Sequence, residues 1–256
     1  MSGSRNEQST EADLLREELE LQVAVAKVGK YAVSESGDTV EVIERPHGGL
    51  SLVMVDGQRS GKSAKAISNI VSRKAVSLLA DGVRDGAAAR AAHDYLRTMR
   101  GGQVSATLNI VSVDLGTRTI VISRNNHCPA IVAHGRQGEI QLLDRPSQAI
   151  GIHAGTRPVI TEIPIARDLH VVLFTDGVLH AGQRYGQRLD APAFVREQLE
   201  RCDGETCARL LADGLLRHAM ELDQGRPGDD ISVVVVSVVD PQQLDEVRRL
   251  SVRFPI

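Results

Sequence analysis

Aromatic residues make up only 2% of this 256-residue chain, and tryptophan is absent. A core must therefore be assembled from Val, Ile, Leu and Ala, and aromatic platforms that stack nucleic-acid bases are not to be expected. Cysteine is scarce and odd in number: Cys128, Cys202 and Cys207. The last two lack zinc-knuckle spacing and have no second pair, so the expectation is free thiols in a reducing compartment. Neither charge sign dominates. A net charge of -3 gives no electrostatic reason to expect nucleic acid or an anionic membrane as partner. No apolar run approaches the roughly 20 residues that cross a bilayer. The polar, acidic start MSGSRNEQSTEADLL lacks the apolar centre of a signal peptide. These absences point to a cytoplasmic protein that binds neither nucleic acid nor membrane. Its length suits one large domain with a full core.

What is present begins with a helical pattern. Residues 1–10 read as a polar tail. TEADLLREELELQVAVAKV offers Thr10 as cap, Asp13 at the favourable end, and Leu14, Leu15, Leu19, Val23 and Val25 as an apolar set. The pattern predicts a helix to about residue 28, packed on its own domain or serving as a homodimer or regulatory face. The chain is accordingly divided into 1–28, a main domain over 29–240, and an extension over 241–256.

Strand patterns then dominate. YAVSE, DTVEVIER and GLSLVMVD are read as strands, with PHGG as a hairpin turn. Two helices are expected over about 64–81 and 86–98. A meander follows, turning at DLGTRT and HGRQGE. PVITEIPIA and DLHVVLFTDG continue the strands, helices are expected over 191–199 and 205–220, and ISVVVVSVV is a last buried strand. This order lacks the strict alternation of a doubly wound sheet. It predicts an α+β class, with antiparallel sheets covered by helices.

The stretch VDGQRSGKSAKAIS imitates a nucleotide-binding phosphate loop, and HVVLFTD imitates its magnesium-binding strand. The imitation fails on spacing. Gly57 to Gly61 is one residue short of the required G-x-x-x-x-G-K-[ST], and Asp56 stands where the first glycine belongs. A carboxylate there repels phosphate, and a hairpin-rich middle suits a parallel nucleotide-binding sheet badly.

Acidic residues at strand ends carry the stronger signal. They are Asp38 in SGDTVEV, Asp56 in LVMVDG, Asp176 in VVLFTDG, and Asp229 and Asp230 in GRPGDDISVVVV. Any one could be a turn residue. Together, at the tips of rigid strands, they would repel one another unless hard divalent cations lay between them. A metal pair would lower the pKa of a water and clamp a phosphoryl group.

In this order the motifs resemble those of the metal-dependent Ser/Thr protein phosphatases of the protein phosphatase 2C superfamily, more narrowly the bacterial sporulation stage II protein E type. SGD, DGxxSGxxA, SATLNIVSVD, NNHCPAIV, QAIGI, VVLFTDGV and GDDISVVVV carry the likeness, from about Ala32 to Val239. The resemblance implies an αββα sandwich of two mostly antiparallel sheets flanked by helices, with two Mn²⁺ or Mg²⁺ ions at one edge. It implies Asp56 as the bridging carboxylate with the Gly57 carbonyl beside it, and Asp176 and Asp229 around the second metal. Asp38 would act near the first metal through water. Asp230 falls where many eukaryotic relatives have Asn. A metal-bridged hydroxide would attack phosphoserine or phosphothreonine directly. Ser60, Gly61 and Lys62 would lie beside substrate, with Lys62 meeting phosphate or an acidic partner. His127, in the NNHCP turn, would be a structural residue or a general acid. The substrate implied is a phosphorylated STAS-type anti-anti-sigma protein or stressosome subunit. The alternative is a regulatory binding module that keeps the fold without turnover. Two departures stand out: DGQRSGKS replaces the common DVSGHG, and the phosphate-binding basic residue of eukaryotic relatives has no evident counterpart.

Overall fold

A computed structural model describes residues 19–46, 48–135, 139–202, 206–241 and 247–253. In chain order the strands are β1 (Glu20–Val28), β2 (Asp38–Glu44), β3 (Gly49–Gly57), β4 (Ala106–Asp114), β5 (Thr119–Asn125), β6 (Ala130–His134), β7 (Glu139–Leu143), β8 (Val159–Pro164), β9 (Leu169–Phe174) and β10 (Ile231–Val239). The helices are α1 (Gly61–Ala80), α2 (Asp85–Met99), α3 (Asp176–His180), α4 (Ala191–Glu200) and α5 (Cys207–Leu222). One sheet runs β1-β10-β9-β6-β7 and the other β2-β3-β4-β5-β8. Every strand pairing described is antiparallel, as the sequence order predicts.

Alternation along the strands makes four layers. On β3, Leu52 and Met54 face the second sheet, where Val171, Leu173, Val234 and Val236 meet them. Val53 and Val55 point the other way, onto Val71 and Leu79 of α1 and Leu96 of α2. On β10, Val233 and Val235 pack instead against Leu211 and Leu215 of α5. A side-chain period of two thus assigns each central strand to two cores at once. This is why ISVVVVSVV is buried along its whole length. With aromatics nearly absent, each well-buried aliphatic supplies about 1.5–3 kcal/mol. In α1, Ala64, Ile67, Val71, Ala75 and Leu79 recur at helical spacing on the buried face. In α2 the small residues Ala88, Ala89 and Ala92 do the same and allow close approach.

Three expectations are corrected. Residues 20–28 are not helix: β1 pairs with β10 from Glu20↔Val239 to Val28↔Ile231. ELQVAVAKV satisfies a period of two as well as it satisfies 3.6, and the β10 edge decides between them. Leu21 and Val23 pack on the core between the sheets, while Ala24, Ala26 and Val28 pack toward the helices. The proposed cap at Thr10 and the tail lie outside the described residues. YAVSE is a turn rather than a strand, with Ala32 at φ 61°. Cys202 and Cys207 are joined as a disulfide, with Cα atoms 5.5 Å apart, and only Cys128 is a free, buried thiol.

Candidate active site

The acidic residues arrive from both sheets. Asp38 begins β2 and Asp56 lies near the end of β3, and the two are direct cross-strand partners. Like charges placed so destabilise a sheet. Asp38 is fully buried. Its Oδ2 accepts from Thr175 Oγ1 at 3.1 Å, just past the end of β9, and from Ser232 Oγ at 2.6 Å, on β10 of the opposite sheet. Its Oδ1 has no hydrogen-bond partner. The Asp38 backbone carbonyl accepts from Lys27 Nζ at 2.5 Å and Lys65 Nζ at 2.7 Å.

Asp176 starts α3 where β9 ends, and Asp229 and Asp230 precede β10. Asp230 ties down the loop before β2: Lys30 N donates to its Oδ1 at 2.9 Å and Gly37 N to its Oδ2 at 2.8 Å. One donor atom each from Asp176, His180 and Asp229 lie within 4.8 Å of one another. His127 Nε2 is 3.8 Å from Asp176 Oδ2. Asp56, Gly57, Asp176 and Asp229 line a cleft of about 380 Å³, together with Lys30, Ser60 and His127 among others. Asp38 and Asp230 stand behind its wall.

Two glycines permit this convergence. A methyl on Gly57 would strike the backbone carbonyl of Ala64 in the first turn of α1, and one on Gly177 would strike the backbone carbonyl of Asp230. Strand end and helix start therefore touch only because neither position has a Cβ.

The sequence profile of the family "Stage II sporulation protein E (SpoIIE)" matches residues 46–239, a span that takes in Asp56, Asp176, Asp229 and Asp230. The chain belongs to the SpoIIE family. Solved structures share the fold. The PP2C phosphatase domain of SpoIIE from Bacillus subtilis, with a fragment of its regulatory domain, has a TM-score of 0.74 at 17% identity, covering 88% of this chain and 65% of that one. The RsbU and RsbW domains of a Mycobacterium tuberculosis protein give 0.71 at 16%, covering 87% and 61%. The catalytic domain of the Ser/Thr phosphatase PstP, solved with two manganese ions, gives 0.63 at 17%, covering 87% and 100%. The chain thus spans less than two thirds of the first two of these. A comparison with curated proteins finds no match.

The clustered carboxylates are electrostatically strained. Burial pushes the Asp56 carboxyl up to about 9, and Asp38, Asp176, Asp229 and Asp230 push it the same way. Burial raises Asp38 to about 6, opposed by its Ser232 bond. Burial also raises Asp229. Lys27 is lowered, first by burial and then by Lys65.

Of the residues singled out beside substrate, Ser60 lines the cleft, whereas Lys62 is exposed at the start of α1 and Gly61 opens that helix; neither lines the cleft. The phosphate-loop alternative fails structurally, since Gly57 ends a strand paired antiparallel to both neighbours. Sequence reading missed Lys27, Lys65, Thr175 and Ser232. A signal existed for the last: Ser232 is one of two serines, with Ser237, in the otherwise apolar strand that follows Asp230. Lys65 carried none, because only the α1–β2 packing separates it from Lys62.

Proposed function

We propose that this chain is a metal-dependent phosphoprotein phosphatase that hydrolyses phosphoserine and phosphothreonine. The observation that carries the reading is Asp56, a carboxyl held among four others. Such a group is ionised at neutral pH only if cations share the site. The donors fit that requirement: Asp56, Gly57, Asp176 and Asp229 offer oxygen, His180 adds a ring nitrogen close to Asp176 and Asp229, and the buried Asp38 Oδ1 has no hydrogen-bond partner. Asp56, the Gly57 carbonyl, Asp176 and Asp229 would hold two Mn²⁺ or Mg²⁺ ions, with Asp38 beside the first. When bound, such ions activate water and neutralise charge on the phosphoryl group.

The remaining work belongs to the chain's own side chains. Thr175 and Ser232 fix the Asp38 carboxylate through Oδ2, while the buried Oδ1 has no hydrogen-bond partner. Lys27 and Lys65 anchor its backbone. Asp230 holds the Lys30–Gly37 loop against the cleft. His127 stands on the cleft wall, where its Nε2 can deliver a proton to the departing seryl or threonyl oxygen. Lys30, also on that wall, can meet phosphate as a point charge.

The finer reading is a substrate of the STAS-type anti-anti-sigma or stressosome class, dephosphorylated in the cytoplasm during stress or sporulation signalling. Membership of the SpoIIE family supports it, as does the likeness to RsbU and RsbW domains. No helix among the described residues is long and apolar enough to cross a membrane.

The test is phosphate release from p-nitrophenyl phosphate and a phosphoserine peptide, with Mn²⁺ titrated from zero. Turnover should appear with Mn²⁺ and fall by about 10²-fold or more in Asp56→Asn and Asp229→Asn. No turnover at any metal concentration, in folded protein, would overturn the enzyme reading in favour of a binding module.

A further inference from the structure

The acidic cleft has a neighbour. A second hollow of about 270 Å³ opens beside it, and Gln58 and Arg59 line both. Its apolar wall is built by Ala66 and Ile67 of α1 and Val104 after α2, with Arg100 at the rim. The partition between the hollows is fixed. Gln58 N donates to the Ser105 carbonyl at 3.1 Å, and Ser105 N returns a bond to Gln58 Oε1 at 3.1 Å. Arg59 is held at φ 78°, a region L residues rarely occupy, which keeps its backbone turned at the junction. Neither Arg59 nor Arg100 forms an ion pair among the described residues. Both are exposed.

An apolar hollow rimmed by two unneutralised guanidiniums, on a chain of net charge -3, is complementary to a peptide carrying one apolar and one acidic side chain. The geometry points to this hollow as the docking pocket for the polypeptide segment flanking the phosphorylated residue. An apolar side chain of the substrate enters it, and an acidic neighbour meets Arg59 or Arg100. The inference rests on the phosphatase reading and adds a selectivity element to it. Because the hollows share a wall, the reach is short. An extended chain advances at most about 3.3–3.6 Å per residue, so the apolar residue lies within about three positions of the phosphoserine.

The test uses the full chain with Mn²⁺ and heptapeptides centred on phosphoserine, each with a single Leu at one of the flanking positions in an Ala/Glu background. One position should raise kcat/KM about tenfold over the Leu-free peptide, the usual scale for an apolar side chain entering a pocket. Ala66→Glu, which places a carboxylate in the apolar wall, and Arg100→Glu, which reverses the rim charge, should each abolish that gain. Both should leave p-nitrophenyl phosphate turnover and the melting temperature unchanged. A flat scan, with no position better than about twofold, overturns the pocket, as does a gain that survives both variants. Fluorescence anisotropy of the same peptides, labelled, reads docking without turnover. Position-dependent affinity that both variants abolish, with no phosphate released, sustains the pocket while the phosphatase reading falls. Uniform affinity overturns the pocket whatever the turnover.

Discussion

Asp38 and Asp56 are each other's cross-strand neighbours, an arrangement that stability alone would select against. Their order in the chain was legible because each stands where an apolar strand begins or ends. Their pairing was not, since it depends on the β2–β3 register. His170 is the opposite case, a titratable residue with a structural place. It is buried on β9, with Nδ1 2.8 Å from Ser237 Oγ of β10. Burial lowers it from 6.5 to about 4, with Asp168 opposing and His134 adding slightly. The folded pKa lies below the unfolded one, so the unfolded chain takes up the proton first. Stability from this group is present above pH 6.5 and is lost as pH falls toward 4. Urea unfolding of metal-free protein should show a loss of about 2 kcal/mol between pH 7 and pH 5 beyond that in His170→Gln. Equal losses in both proteins would show that His170 is not held neutral.

At the scale of elements, the contact between the end of β3 and the start of α1 sets the site. Gly57 lets the Ala64 backbone approach, and the same helix delivers Lys65 to the Asp38 carbonyl. Gly57→Ala should cost about 1–3 kcal/mol by overpacking, read as a lower urea midpoint, and should reduce turnover by displacing its own carbonyl. Unchanged stability and activity would mean that the helix start yields freely. The helices themselves were readable to within a few residues: 64–81 was expected and 61–80 is observed. Apolar spacing marks the buried turns, while Gly61 to Ser63 belong to the helix without contributing to the core. β1 misled because Leu15, Leu19 and Val23 recur every four residues while the residues from Leu21 alternate. A nine-residue pairing with β10 outweighs any local preference.

At the scale of the molecule, the site is a seam. Asp38 and Asp56 come from one sheet, while Asp176, Asp229 and Asp230 belong to the ends of strands in the other. Ions held between them, as proposed, would join the two halves of the sandwich. A ligand that binds only the folded state stabilises it by about 2.7 kcal/mol at a hundred times its Kd. Thermal melts should shift upward with Mn²⁺ and return with chelator, and Asp176→Asn and Asp229→Asn should lose most of the shift. A melting temperature indifferent to Mn²⁺ would contradict ion binding across the seam.

The sequence by itself determined the class of the fold, the identity of the strand-end carboxylates, and the family they resemble. Those features are local: an apolar run, a turn, a carboxylate at its end. Tertiary structure alone decided that residues 20–28 form a strand, that Lys65 rather than Lys62 approaches the site, and that Thr175 and Ser232 hold Asp38 across the sandwich. It also decided that a second hollow adjoins the acidic cleft. Each of these depends on which surfaces meet, through strand register and helix packing over long stretches of chain, and no window of sequence contains that information.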